Sequence, residues 1–187
     1  MSPQPLDQLR QWLDHASETD LRLPHSAVLS TTGLDGYPNA RTVAVKDVDA
    51  DGIVISGPLG SRKGREIAAD ARCALTMWWD ALGRQVRVQG VASLLERERA
   101  RAIFEARSRE ARIVASVSHQ GEPAVRGALE AAYAASRDTD PTMPDSWGGW
   151  IISPQRIEFM EFSDARFHAR TLYELVSGTW TQVELQP

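Results

Sequence analysis

Hydrophobic positions follow two different spacings along the chain. Leu6, Leu9, Trp12 and Leu13 recur at helical spacing, which predicts a short amphipathic helix from about Pro5 to Ala16, within an N-terminal helical segment 1–20 that lids the body. From Ser26 the pattern changes to short β-branched runs broken by turn signals: SAVLSTT, then NARTVAVKDV after Gly33–Pro38, then IVIS after Asp49–Gly52. CALTMWW and RQVRVQGVA flank a turn at Asp80–Gly83, and in the second run Gln85, Arg87 and Gln89 alternate with Val86, Val88 and Gly90, giving it one polar face. Strands return at GWIIS, RIEFMEF, ARFHARTLYEL and TWTQVEL, the last two joined by the hairpin signal Ser177-Gly178.

Helices interrupt this series. GPLGSRKGREIAAD (57–70) reads as a glycine-bearing loop running into a short helix. Ser93 with Glu96 resembles a capping box opening ERERARAIFEAR, and a further helix covers Ala124 to Ser136. Asp138 to Ser146, rich in Pro and Asp, reads as a surface loop. Six or seven strands with inserted helices predict a mainly β protein, a closed or split antiparallel barrel in place of βαβ units. Without repeats or low-complexity tracts, 1–187 reads as one domain.

Composition narrows the function classes. The 187 residues carry 21 Lys+Arg against 25 Asp+Glu, a net charge of −4, which argues against nucleic-acid binding by general electrostatics. The single cysteine, Cys73, excludes an internal disulfide framework and cannot by itself build a zinc site, and no two histidines stand at metal-ligand spacing. No apolar run approaches the roughly 20 residues of a membrane span, and MSPQPLDQLRQWL lacks the pattern of a signal peptide, so the expectation is a cytoplasmic protein with no membrane partner.

Three groups could carry chemistry. Gly60-Ser61-Arg62-Lys63 follows a strand and opens a helix, so free N–H groups, a hydroxyl and two cations converge as a phosphate would require. The spacing is neither a Walker A loop nor GxGxxG, and a polar helix start with solvated cations reads equally well. Arg41 shares a strand face with Val43 and Val45, whereas Lys46 lies with Thr42 and Ala44; a desolvated anion contact and an edge strand with snorkelling cations both fit. Arg166, His168 and Arg170 alternate in ARFHART, so on a strand all three would share one face, a self-repelling arrangement that an anionic or electron-rich ligand would resolve. Solvated surface charge is the competing reading. Trp147, Trp150 and Trp180 read as core or interface aromatics.

Taken in order, RTVAVK, DGIVISGPLGSRKGREI, LGRQVRVQG, ASVSHQG, SWGGWIISPQRIEF and RFHAR resemble the pyridoxamine 5′-phosphate oxidase family over nearly the whole chain from about Ala27. The resemblance implies an FMN-binding split β-barrel of antiparallel Greek-key type, a homodimer with FMN at the interface. It implies that Arg41, Arg62 and Lys63 bind the flavin phosphate region, that Arg41, Thr42, Val43, Ala44, Val45 and Lys46 run along the cofactor, and that Ser56, Gly57, Gln85, Gln120, Gly121, Met160 and Arg170 complete the cofactor site. Arg166 and His168 would be catalytic and face the substrate, and Lys46 and Arg107 would hold its phosphate. The implied reaction is hydride transfer from a small heterocyclic substrate to flavin N5, with reoxidation by dioxygen to hydrogen peroxide.

Departures from the family pattern bear on the substrate. Ile103 stands where the family has a Tyr, Ala111 where it has a Ser, and Met160 where it has a flavin-contacting Trp; the N-terminal extension with its substrate-covering arm is largely missing. Two lost hydrogen bonds to a phosphate, at roughly 1.5–3 kcal/mol each, would weaken its binding by orders of magnitude. The same chemistry on a non-phosphorylated heterocycle, as in the oxidases of phenazine biosynthesis, is therefore an alternative. A flavin- or haem-binding barrel without turnover is another, against which Arg166 and His168 argue.

Overall fold

A computed structural model describes residues 4–187; residues 1–3 of the expected N-terminal segment lie outside the described residues. Eight strands form one antiparallel sheet: β1 (Ser26–Thr32), β2 (Pro38–Val48), β3 (Ile53–Pro58), β4 (Arg72–Trp79), β5 (Arg84–Leu94), β6 (Trp147–Glu161), β7 (Ala169–Val176) and β8 (Thr179–Leu185). Their order is β3-β2-β1-β4-β5-β6-β7-β8, and β3 also pairs with β6, which closes the first six strands into a barrel. The chain leaves β3 through α2 (Arg62–Ala69) and returns on the far side of β1, so β4-β1-β2-β3 is a Greek key.

β6 splits the barrel. Its first half pairs with β3, placing Gly148 opposite Gly57, and its second half pairs with β7, placing Met160 opposite Arg170, while β5 runs beside both. The two separate runs GWIIS and RIEFMEF are thus one strand. Pro154 between them removes a ladder donor, and the chain accommodates it at a bulge where the β5 register shifts between Gln89 and Gly90. Gly90 is needed there, because a Cβ would lie 2.5 Å from the Ser153 carbonyl oxygen.

Alternation along the strands fills the barrel with Leu29, Ile55, Leu75, Met77, Val86, Ile152 and Ile157, all fully buried. α1 (Pro5–Ser17) adds Leu9, Trp12 and Leu13 to the same core, with the Trp12 ring edge-on to Trp79 at 6.4 Å and to Phe159 at 5.0 Å. Each such side chain removed from water stabilises the fold by roughly 1.5–3 kcal/mol. Among the described residues no helix is long and apolar enough to cross a membrane.

Between β5 and β6 lie α3 (Arg97–Glu105), α4 (Arg109–Val117) and α5 (Ala128–Ala135); residues 138–146 hold no helix or strand. α4 has no counterpart in the sequence reading, although Ser108 caps it by accepting from the Ala111 N–H at 3.2 Å. The proposed capping box does not form, since Ser93 belongs to β5 and α3 starts from Glu96 without a side-chain cap. A second correction concerns ARFHART. β7 begins only at Ala169; Arg166 has φ 67° and donates its N–H to the Ser163 carbonyl at 3.0 Å. That left-handed turn breaks the extended backbone on which two-residue alternation depends, so Arg166 and His168 do not share a strand face with Arg170.

Candidate active site

The turn after β3 sets the first group of functional side chains. Ser61 caps α2, its Oγ accepting from the Gly64 N–H at 3.4 Å, and Gly64 is required because a Cβ there would lie 2.0 Å from the Leu59 carbonyl oxygen. Lys63, in the first turn of α2, is thereby buried. Its Nζ donates to Ser61 Oγ at 3.1 Å and to Gln120 Oε1 at 2.8 Å, which ties the loop after α4 to the barrel. Burial, and then the neighbouring Arg41 charge, pull the Lys63 pKa down to about 8.

Lys63, Gln120, Ser56 and Gly57 wall a cavity of about 470 Å³. Ser56 Oγ is buried with no partner among the described residues, and a Cβ on Gly57 would come 3.0 Å from Lys63 Nζ. An unused hydroxyl, a buried ammonium and a glycine that keeps space open beside it form a cradle for an oxyanion.

A second cationic group borders the same cavity. On β2, Val45 faces Ile55 and Asp47 faces Val54, so Lys46 is the extra residue of a bulge, a device that re-aims a side chain. Thr42, Val43, Ala44 and Lys46 all line the cavity, whereas Val45 points into the barrel core. Arg107, just past α3, lies 5.6 Å over the Trp147 ring and donates from NH2 to the Ala111 carbonyl at 3.1 Å. Burial, then the Arg107 charge, lower the Lys46 pKa, and burial lowers that of Arg107. Two cations held close in a partly dry cavity favour an anionic ligand.

Arg41 and Arg62 do not wall the cavity. Both turn to Glu66, which is fully buried and was not singled out in the sequence, although Arg62 and Glu66 stand four apart on α2. Glu66 Oε2 accepts from Arg41 NH2 and from Thr31 Oγ1 at 2.6 Å; Oε1 accepts from Asn39 Nδ2 at 2.7 Å and Arg62 Nε at 2.9 Å. Burial works to raise the carboxyl pKa, but the four donors outweigh it and hold it at about 2.

The remaining candidates lie elsewhere. Gln85, Met160 and Arg170 form one row across β5, β6 and β7. Arg170 donates from NH1 to Glu158 Oε1 at 2.6 Å, and Glu158 Oε2 also accepts from Arg87 at 3.2 Å. In the loop before β7, His168 stacks on Phe162 at 4.8 Å and its Nδ1 accepts from the Ser163 N–H at 3.1 Å, while Arg166 and Phe167 are exposed. Gly121 follows Gln120 with φ +92°. Met160 stands twelve residues along β6 from Gly148, the partner of Gly57. That is about 40 Å of strand. A single chain therefore brings Lys46, Lys63, Arg107 and Gln120 together and leaves Gln85, Met160, Arg166, His168 and Arg170 apart from them.

Comparison with known proteins gives the family of the chain. Residues 13–140 match the family described as pyridoxamine 5′-phosphate oxidase, and residues 147–187 match the pyridoxine 5′-phosphate oxidase C-terminal dimerisation region. The chain belongs to the pyridoxamine 5′-phosphate oxidase family. It is similar to the pyridoxine/pyridoxamine 5′-phosphate oxidase of a Nocardioides species, 38% identical over all of this chain and 90% of the relative. The corresponding Rubrobacter xylanophilus protein is 40% identical over 99% of this chain and 88% of its own length. Among solved structures, PhzG from Burkholderia lata in complex with tetrahydrophenazine-1-carboxylic acid superposes with a TM-score of 0.93 at 29% identity, covering 98% of this chain and 93% of that one. A pyridoxamine 5′-phosphate oxidase-related, FMN binding protein from Nostoc punctiforme shares the fold, with a TM-score of 0.85 at 17% identity over the full length of both chains. Members of this family are oxidoreductases. In this chain the dimerisation region spans β6 to β8, and so holds Met160, Arg166, His168 and Arg170.

Proposed function

We propose that the protein is an FMN-dependent oxidase of small heterocycles, acting as a homodimer in which each cofactor site takes the cavity of one copy and the β5–β7 row of the other. The observation that carries this reading is the cradle of Lys63, Gln120 and the unpartnered Ser56 hydroxyl, whose donor chemistry fits the phosphate of FMN. Arg41 and Arg62, fixed on Glu66, add positive charge nearby, and the backbone of Thr42 to Lys46 lines the same wall. Gln85, Met160 and Arg170, about 40 Å of strand away in their own chain, reach a flavin only from the second copy.

Bound FMN supplies a hydride acceptor for the amine- or alcohol-bearing carbon of the substrate, and dioxygen then takes up the two electrons and two protons as hydrogen peroxide. The protein binds and orients. Lys46 and Arg107 hold the substrate's anionic group, and apolar Val114, Ala115 and Leu129 line the cavity beside them. Because His168 Nδ1 accepts a backbone N–H, the neutral ring carries its proton on Nε2, a donor able to orient the substrate; exposed Arg166 contributes charge. These are positioning roles, worth what near-attack alignment is worth.

A second reading keeps the flavin and changes the substrate to a non-phosphorylated heterocycle. Ile103 packs with Ala100, Phe104 and Trp147, and Ala111 offers only its carbonyl, already taken by Arg107, so neither adds a donor for a phosphate. One experiment tests both readings. Protein loaded with FMN is offered pyridoxamine 5′-phosphate, pyridoxine 5′-phosphate and a reduced phenazine carboxylate, and peroxide release is measured. Failure to take up FMN refutes both readings, and the ranking of substrates decides between them.

A further inference from the structure

Glu158 lies between two arginines on the outer sheet face that carries Gln85, Met160 and Arg170. It stands two residues before Met160 on β6, directly opposite Arg87 on β5 and Leu172 on β7, whereas Arg170 stands opposite Met160. Arg170 therefore reaches Glu158 across the diagonal of the sheet, a separation that a long side chain spans. Its NH1 donates to Glu158 Oε1 at 2.6 Å, and Arg87 NH1 donates to the other oxygen at 3.2 Å. The Glu158 side chain is only 12% exposed, and Arg156, the next cation on this face, is taken by Glu174 at 3.0 Å. One carboxylate thus serves two guanidiniums, which leaves the trio with one positive charge in excess. Ser30 on β1 and Leu172 on β7 wall the same depression of about 330 Å³ as Arg87 and Glu158, so this face is dished, a shape that can receive a second copy.

We propose that Glu158 is a positioning residue of the flavin site: it anchors the Arg170 guanidinium at NH1 and, shared with Arg87, sets the positive charge that the site presents to FMN. This rests on the shared-site reading above, in which the β5–β7 row of one copy meets the flavin held by the other. Arg170 Nε, the guanidinium nitrogen nearest the β7 backbone, is buried without a partner among the described residues, so anchoring at NH1 leaves Nε for an acceptor on the ligand. A buried N–H in that state costs free energy that a bound acceptor restores. Met160, directly opposite, offers only a weakly accepting thioether, so the direction of the guanidinium comes from Glu158. Both arginines stay charged at any working pH, which makes the carboxylate the group that moderates them. The ring system of FMN is neutral when oxidised and gains negative charge on two-electron reduction at neutral pH, so protein charge beside it shifts the balance between the two forms. Two uncompensated arginines would favour the reduced form, and Glu158 holds that preference down.

The test measures the midpoint potential of bound FMN, by equilibration with a reference dye, and the affinity for oxidised FMN. Wild type, Glu158→Gln, Arg87→Gln and Arg170→Gln are compared at one protein concentration. Glu158→Gln keeps the size and an acceptor oxygen for Arg170 and removes the charge. It is expected to tighten reduced FMN relative to oxidised FMN by about ten-fold, the scale of one unit charge in a partly solvated site and a rise of about 30 mV for a two-electron couple. Arg87→Gln removes a cation from the same carboxylate and is expected to lower the potential. A residue that only held the sheet together would not give shifts of opposite sign. An unchanged or lowered potential in Glu158→Gln would overturn the proposal. Should that variant fail to fold, Arg87→Gln decides, since the Arg87 side chain is 54% exposed: a potential at or above the wild-type value refutes the charge balance. Arg170→Gln separates this role from the reading beneath it. If it leaves FMN affinity and potential at wild-type values, the shared site fails and the role of Glu158 with it. If it shifts them while Glu158→Gln does not, the role of Glu158 alone fails. A wild-type protein that takes up no FMN refutes the oxidase reading and this role together.

Discussion

Replacing Glu66 tests whether its buried ion cluster holds the α2 end of the site in place. Glu66→Ala removes the carboxylate that Arg41 NH2 and the buried Thr31 hydroxyl donate to, leaving Arg41, whose side chain is 22% exposed, only its NH1 bonds to Thr31 Oγ1 and the Leu29 carbonyl, whereas Arg62, 57% exposed, can turn to water. Breaking a buried ion pair from one side costs about 3–5 kcal/mol. For a domain of this size that corresponds to roughly 6–20 °C in melting temperature. Glu66→Gln keeps one acceptor oxygen and the volume, so its cost is smaller, about 1–3 kcal/mol. The pH dependence gives a sharper criterion. The folded carboxyl sits at about 2, below its ordinary 4.5, so the stabilisation is complete above about 4.5 and is lost as pH falls toward 2. Urea denaturation of the apoprotein, at one fixed protein concentration and at pH 7, 5 and 3, should show the gap between wild type and Glu66→Gln narrowing at pH 3. A gap of the same size at pH 3 and pH 7 would refute the assignment of that energy to the ionised carboxylate. So would a cost below about 1 kcal/mol for Glu66→Ala.

The cradle and the β6–β7 loop make separable predictions. Lys63, with its pKa drawn down to about 8, is charged below that pH and neutral above it, so FMN affinity measured by fluorescence quenching should fall as pH rises through about 8. Lys63→Met should bind FMN at least ten-fold more weakly with no such pH dependence, and riboflavin, which has no phosphate, should show neither effect. Arg166→Ala should retain flavin at the wild-type level and lower kcat/KM about ten-fold or more; loss of flavin from this variant would show that Arg166 belongs to the cofactor site.

Much of the fold is legible in the chain because period-two alternation is read directly from residues such as Gln85 to Gly90, which pair with β4 and β6 as their pattern implies. The errors occur where backbone geometry departs from its regular form without a composition signal. GWIIS and RIEFMEF, read as two runs, are one strand that continues past Pro154 through a bulge, and Arg166, a residue type that seldom adopts positive φ, hid the turn that ends the ARFHART alternation. α4 escaped notice because REARIVASV buries only Ile113, too little for an apolar stripe. Of the site, the cations were visible as residue types, but their partners were not. Nothing in SRKGREI announces that Glu66 is fully buried and takes both Arg41 and Arg62, since that depends on Thr31 and Asn39 arriving from β1 and β2.

The proposed division of the site between two copies follows from the length of β6. A strand that must complete the barrel with β3 at one end and carry β7 and β8 at the other is long, and its two ends cannot meet. Gln85, Met160 and Arg170 are consequently fixed in register with one another, by hydrogen bonds across three strands, and not in register with Lys63. Two-fold pairing of chains is the economical way to bring the row of one copy to the cavity of another, because in a symmetric dimer one contact surface completes both sites. Apolar Phe162, Phe167, Val183 and Leu185, exposed in the single chain and located in the dimerisation region or its loop, are the side chains such a contact would cover. If the site is divided as proposed, flavin retention depends on assembly. Dilution below the dimer dissociation constant should release FMN even though every cradle residue remains folded, an outcome that a site complete within one chain would not produce.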